Sequence, residues 1–164
     1  MYPEMENTCR YAARYSGRLS LLIFLFAFYL YAFSYAKPLQ ENIQLQNVIK
    51  LFAVLYVIHF GFLATNVYVN AIEMVPIKLL GGFLAYVMIV VAPFKLHKLN
   101  FTKQLVYFYY VSLVMILTYV ARVKGDFEGV EPFWFHYLSL GTLIFCCILF
   151  GWKLYTSKKR KGFL

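Results

Sequence analysis

Four polar side chains within and just after one apolar stretch are the residues of this chain best suited to chemistry. They are His59, Asn66, Asn70 and Glu73, at spacings of seven, four and three residues. On an α-helix with about 3.6 residues per turn, this spacing places them in a narrow polar stripe on one face. The imidazole of His59 can ligate a metal or carry a proton. The two asparagines can only donate and accept hydrogen bonds.

Two interpretations of this polar stripe stay open. In the structural one, its side chains form hydrogen bonds to neighbouring helices, each contributing about 0.6 kcal/mol and at most about 2 kcal/mol. In the functional one, the stripe is a ligand, proton or cofactor site centred on His59, the one ionisable residue deep in an apolar run. Polar groups in a bilayer are costly unless they face protein or water. Both interpretations therefore predict that the stripe faces the interior of a bundle or a partner.

The elements that must position these residues are five apolar runs. They cover 19–36, 48–70, 79–94, 105–121 and 133–152, and a basic tail follows at 153–164. A helix rises about 1.5 Å per residue, so about 20 residues cross a hydrocarbon core of about 30 Å. Lipid offers the backbone no hydrogen-bond partners, so such runs must be helical. We predict an all-α polytopic membrane protein, a bundle of five transmembrane helices.

The composition indicates the same class of protein. Hydrophobic residues make up 62% of the 164 residues and charged residues 14%, against roughly 45–50% and roughly 25% in soluble domains. The connections between the runs are short, and no polar segment is long enough to form a second domain. We therefore predict a single transmembrane domain over residues 1–164, with the lipid bilayer as its first partner.

The formal net charge of +9 has a topological explanation. In a soluble protein it would suggest nucleic acid, but in a polytopic protein basic residues that flank the spans set the orientation. We expect no nucleic-acid partner. With five spans the termini face opposite sides, and the C-terminal side, which includes Lys158 to Lys161, collects more Lys and Arg. This bias, opposed by Arg10, Arg14 and Arg18, predicts an outside N-terminus and a cytoplasmic C-terminus.

The other candidates for chemistry do not form a site. Asp126, Glu128 and Glu131 precede His136, but carboxylates at this spacing in a loop are usually solvated, and we predict no metal. The three cysteines form no CxxC pair, so structural zinc and thiol redox chemistry lack support. P-loop, GxSxG and HExxH motifs are absent from the sequence. These absences favour a protein without catalytic residues.

The first two runs resemble a known family. The segments Tyr15-Ser-Gly-Arg-Leu-Ser-Leu-Leu-Ile-Phe-Leu and Leu55-Tyr-Val-Ile-His59 are similar to the opening of the ferric-reductase-like transmembrane family, which includes the haem-bearing membrane partner of a periplasmic methionine sulfoxide reductase. The resemblance implies that His59 ligates b-type haem. The partner histidines that the family has in a later span are missing, because the run from Leu105 to Thr118 contains none.

Three functions follow from these observations. The first is a non-catalytic accessory or scaffold subunit of a larger membrane complex, with other membrane protein subunits as partners. The second is a b-haem and quinone electron-transfer module of the ferric-reductase-like type. The third is a carrier or binding protein for lipid or a small molecule, with its site beside His59 and Asn66.

Overall fold

A computed structural model describes residues 3–34, 38–71, 76–125 and 133–161. Every regular element among these residues is helical. The five α-helices are α1 (Pro3–Ser34), α2 (Ile43–Val69), α3 (Pro76–Lys95), α4 (Phe101–Lys124) and α5 (Trp134–Lys161), and short 3₁₀ turns lie at Leu39–Glu41 and Leu96–Lys98. All five contain a stretch long and apolar enough to cross a membrane. The prediction of an all-α protein with five membrane-spanning helices is confirmed.

All five helices are longer than the apolar runs that predicted them, α1 and α5 by the most. Helix α1 begins at Pro3, 16 residues before Leu19, and its 32 residues span about 48 Å at about 1.5 Å per residue. Helix α5 continues to Lys161, so most of the predicted basic tail is helical. Arg and Lys are good helix formers. A hydropathy pattern marks the part of a helix that suits lipid, and it does not mark where the helix ends.

The helices fall into two compact units, residues 1–107 and 108–164. In the first unit, α1 and α2 form an antiparallel hairpin that is closed by an asparagine. The Asn42 side chain accepts a hydrogen bond from the Leu45 N–H at 3.0 Å, which caps α2, and its Nδ2 donates to Ser34 Oγ at 2.7 Å. Asn42 thus satisfies the start of α2 and holds the end of α1 beside it.

The interior of this hairpin is aromatic. Phe24, Phe28 and Phe52 are almost completely buried. The Phe24 ring lies 5.3 Å from the Phe52 ring and 6.1 Å from the Phe28 ring, measured between centroids. Lipid tails are as apolar as these side chains, so the contacts stabilise the hairpin through close packing rather than by removal from water.

Helix α3 packs against α2 in the same unit, and its Tyr86 ring lies 4.6 Å from Phe60 and 6.1 Å from Tyr56. The chain then turns into α4 through a 3₁₀ turn held by one buried amide. Gln104 Nε2 donates to the carbonyl oxygens of Leu96 at 3.3 Å and Leu99 at 2.9 Å. Backbone groups that the turn would leave unpaired thus have a partner inside the protein.

In the second unit, the remainder of α4 and α5 are joined by a tyrosine. The Tyr109 hydroxyl donates to the Cys147 carbonyl oxygen at 3.0 Å, and its ring stacks on Phe150 at 6.2 Å. A Cβ added at Gly151 would lie 3.4 Å from the Tyr109 oxygen, so the tyrosine hydroxyl lies beside the backbone of α5 at this glycine. The three cysteines, Cys9, Cys146 and Cys147, are free.

Candidate functional site

The polar stripe of α2 faces α1. Two of its predicted members contact that helix, since His59 meets Ser16 and Asn70 meets Arg10, while Asn66 is bonded to Asn70 within α2. The fourth predicted member, Glu73, lies outside the described residues. His59 and Asn70 thus lie along the line where α1 and α2 touch.

His59 lies against a serine and a glycine of α1. Its Nδ1 is 3.0 Å from Ser16 Oγ, and the edge of the Tyr56 ring lies 5.9 Å away between centroids. A Cβ added at Gly17 would stand only 2.9 Å from His59 Cε1. The imidazole therefore occupies the space that the missing side chain of Gly17 leaves, and the two helices approach closely at this level.

The neighbours of Ser16 assign the tautomer of His59. The Ser16 hydroxyl donates to the Ala12 carbonyl oxygen at 2.7 Å, with a longer contact of 3.2 Å to that of Ala13. A hydroxyl has one proton to donate, so when Ser16 donates to Ala12, the donor in the contact with His59 is Nδ1–H and Ser16 Oγ accepts. In the neutral ring, Nε2 then carries the lone pair.

The second polar contact lies at the end of α2. Asn70 Nδ2 donates to the Asn66 carbonyl oxygen at 3.0 Å and to Asn66 Oδ1 at 3.1 Å, while its own Oδ1 accepts from Arg10 Nε at 3.0 Å. Asn70 is also the residue at which α2 ends. The side-chain amide of Asn70 thus donates to a backbone carbonyl at the end of α2 and accepts a hydrogen bond from Arg10 of α1.

Replacing Asn70 with alanine should destabilise the protein by about 1 kcal/mol. The reason is that interhelical hydrogen bonds in membranes contribute about 0.6 kcal/mol each and up to about 1.7. The midpoint of thermal unfolding in mild detergent measures this. Tyr68→Phe is the control, because Tyr68 lies two residues away and is 84% exposed. Equal midpoints for the two variants would show that the Arg10 contact contributes nothing.

A paired-histidine haem site does not fit the first unit. Ligation by two histidines needs two imidazoles at one depth, and the other histidine of this unit is His97. His97 lies in the 3₁₀ turn Leu96–Lys98, which contacts the turn Leu39–Glu41 just before α2. His59 is 16 residues into α2, about 24 Å farther along the axis. The first unit can therefore offer His59 as its one histidine ligand at this depth.

His136 belongs to a separate cluster in the second unit. It is 3% exposed, and its Nδ1 accepts a hydrogen bond from the Phe133 N–H at 3.3 Å, which places the proton of the neutral ring on Nε2. Its ring lies 6.2 Å from Tyr119, and the Arg122 guanidinium lies 5.9 Å from the same tyrosine ring. With these assignments, Nδ1 donates a hydrogen bond in His59 and accepts one in His136.

Metal chemistry finds no support in the described part of the chain, where no group of three His, Cys, Asp or Glu side chains could hold an ion. The acidic residues considered beside His136, namely Asp126, Glu128 and Glu131, lie outside the described residues.

Tyr119 and Arg122, which lie near His136, were not identified from the sequence as members of a cluster. Their three-residue spacing on a helix was the available signal, and it is common in helices that have no site.

Ser16, Gly17 and Arg10, which contact the predicted stripe, were also not identified as its partners. Ser16 and Gly17 form a pair of small residues just before the first predicted span, which was a usable signal of close approach. Arg10 also lies before the predicted span, and its position gave no signal of a contact with the stripe. No protein-family model, no curated protein and no solved structure matches this chain.

Proposed function

We propose that this integral membrane protein is a non-catalytic accessory or scaffold subunit of a larger membrane complex, with its N-terminus outside and its C-terminus in the cytoplasm. The observation that carries the proposal is the use of the α2 polar stripe. Ser16 and Arg10 of α1 engage His59 and Asn70, so two of the residues best suited to chemistry hold one helix to another. A protein built in this way contributes a stable helical surface to its partners.

The surface offered to a partner is the outward side of the second half of α2. Residues 60–65 are all exposed. A side chain added at Gly61 would meet nothing within 4 Å, and the Thr65 hydroxyl donates to the Gly61 carbonyl oxygen at 2.9 Å. The hydroxyl is satisfied within its own helix, so this face suits lipid or the small-residue packing that membrane helices use with one another.

Purification from native membranes in mild detergent tests the proposal. We expect one or more membrane proteins to copurify in fixed stoichiometry, as measured by quantitative mass spectrometry. Gly61→Leu should reduce this recovery by tenfold or more, because a large side chain keeps a partner helix away. Gly141→Leu on α5 is the matched control, since Gly141 also has nothing within 4 Å. A wild-type chain that purifies without any stoichiometric partner would contradict the proposal.

One observation favours the second candidate function, a b-haem electron-transfer module. When Ser16 donates to Ala12, Nδ1 is the protonated nitrogen of His59, and a histidine ligated to iron through Nε2 is commonly oriented by a hydrogen bond at Nδ1. A visible spectrum of the purified protein decides, because haem gives a Soret band and its absence ends this candidate. The third candidate, a lipid or small-molecule carrier with its site at His59 and Asn66, is opposed by the close packing of Gly17 on the His59 ring.

A further inference from the structure

One face of α1 is exposed along most of the helix and changes character on the way. Its large exposed side chains recur at intervals of three or four residues, which is the spacing of one helical face. They are Tyr11, Tyr15, Leu19, Leu22, Phe26, Tyr29 and Phe33. The part from Leu19 onward is apolar and suited to acyl chains. The part before Leu19 is basic and aromatic.

The basic part is an ordered stack of side chains, which we call the arginine–tyrosine ladder: Tyr11, Arg14, Tyr15 and Arg18. The rings of Tyr11 and Tyr15 stack with centroids 6.5 Å apart and an angle of 25° between their planes. The Arg14 guanidinium lies 5.6 Å from the Tyr11 centroid, and that of Arg18 lies 5.3 Å from the Tyr15 centroid. Such cation–π contacts hold both guanidinium groups beside the exposed tyrosine rings.

The ladder belongs to a part of α1 that is rich in positive charge. Arg10, Arg14 and Arg18 recur every four residues, and like charges four residues apart on a helix repel one another. A bound anion would reduce this repulsion.

We propose that the ladder binds the phosphate of an anionic phospholipid whose acyl chains lie along Leu19, Leu22 and Phe26. A lipid is favoured over other anions because the guanidinium groups and the apolar side chains from Leu19 onward lie on one continuous face of α1. A single lipid can therefore contact both. Arg14 and Arg18 lie about 6 Å apart along the helix axis, close enough for one phosphodiester to reach both. Arginine also matches phosphate geometry with paired hydrogen bonds.

Native mass spectrometry of the delipidated full-length chain tests this, with palmitoyl-oleoyl phosphatidylglycerol and the corresponding phosphatidylcholine as probes. We expect phosphatidylglycerol to bind at least tenfold more tightly. Arg14→Gln and Arg18→Gln should each weaken its binding about fivefold, following the contribution of about 1 kcal/mol per basic residue near a membrane surface. Lys50→Gln and Lys103→Gln are controls, because these lysines are exposed on α2 and α4, and they should leave the affinity unchanged.

Tyr15→Leu keeps an apolar side chain but removes the ring beside Arg18, and it should weaken binding about threefold. Equal affinity for the two lipids would overturn the proposal even if the arginine variants do not fold. Equal losses in the arginine and lysine variants would overturn it too, because they would indicate diffuse attraction. Displacement of the lipid by millimolar inorganic phosphate would identify a site for the free anion instead.

Discussion

Phe24→Ala should lower the free energy of unfolding by about 3 kcal/mol, the largest single effect we expect. Phe24 is completely buried between α1 and α2, with its ring 5.3 Å from that of Phe52. Truncating a buried phenylalanine leaves a cavity whose walls lose their dispersion contacts. In a bilayer this packing term dominates, because lipid solvates the apolar surface of separated helices as well as the protein interior does.

Phe26→Ala provides the matched control for this variant. Phe26 lies two residues farther along the same helix and is 44% exposed, so its truncation removes mainly contacts with lipid or detergent. We expect its cost to be below about 1 kcal/mol. Thermal unfolding of both variants in the same mild detergent, followed by circular dichroism, gives the comparison. Similar unfolding midpoints would mean that α1 does not bury Phe24 against α2.

Gly17→Ala should destabilise the protein by about 1–3 kcal/mol, although alanine is the better helix former. The added methyl group would stand 2.9 Å from His59 Cε1, closer than carbon atoms can approach. The imidazole would have to leave its position between Ser16 and Tyr56, and its hydrogen bond to Ser16 Oγ would be lost. Unfolding in mild detergent again measures the effect.

A second substitution distinguishes this clash from a general effect of removing glycine. In the double variant Gly17→Ala and His59→Ala the methyl group has room, so the two costs should be less than additive by at least about 1 kcal/mol. Gly61→Ala is the control, since nothing lies within 4 Å of its added Cβ. It should leave the stability unchanged or raise it slightly. Simple additivity would show that Gly17 and His59 do not interact.

Most of the fold could be predicted from hydropathy, because a bilayer permits few structures. Five apolar runs predicted five helices, and each α-helix of the structure overlaps one of them. The ends could not be predicted in the same way. The start of α1 was left out of the predicted apolar run because it contains Arg10, Arg14 and Arg18. Arginine is nevertheless a good helix former, and the helix continues through these residues. Hydropathy reports the preferred solvent of a segment, whereas helix propensity governs its length.

Of the two helices that form the candidate site, only the residues of α2 could be predicted from the sequence. Helical periodicity placed His59, Asn66 and Asn70 on one face of α2, because that relation is local in sequence. Their partners, Ser16 and Arg10, lie 43 and 60 residues from the groups they contact. Which helix faces the stripe, and in what register, depends on the packing of Phe24 against Phe52 and the approach at Gly17. A single sequence does not encode those relations in any local pattern.

The three polar pairs along the α1–α2 hairpin also restrict how it can move. Asn42 binds Ser34 near one end, His59 binds Ser16 farther along, and Asn70 binds Arg10 near the other end. Arg10 and Ser34 are 24 residues apart, or about 36 Å along α1. Sliding one helix past the other by a single turn, about 5.4 Å, would separate all three pairs together. Axial sliding of α1 along α2 therefore requires all three pairs to break, so these contacts fix the register of the two helices.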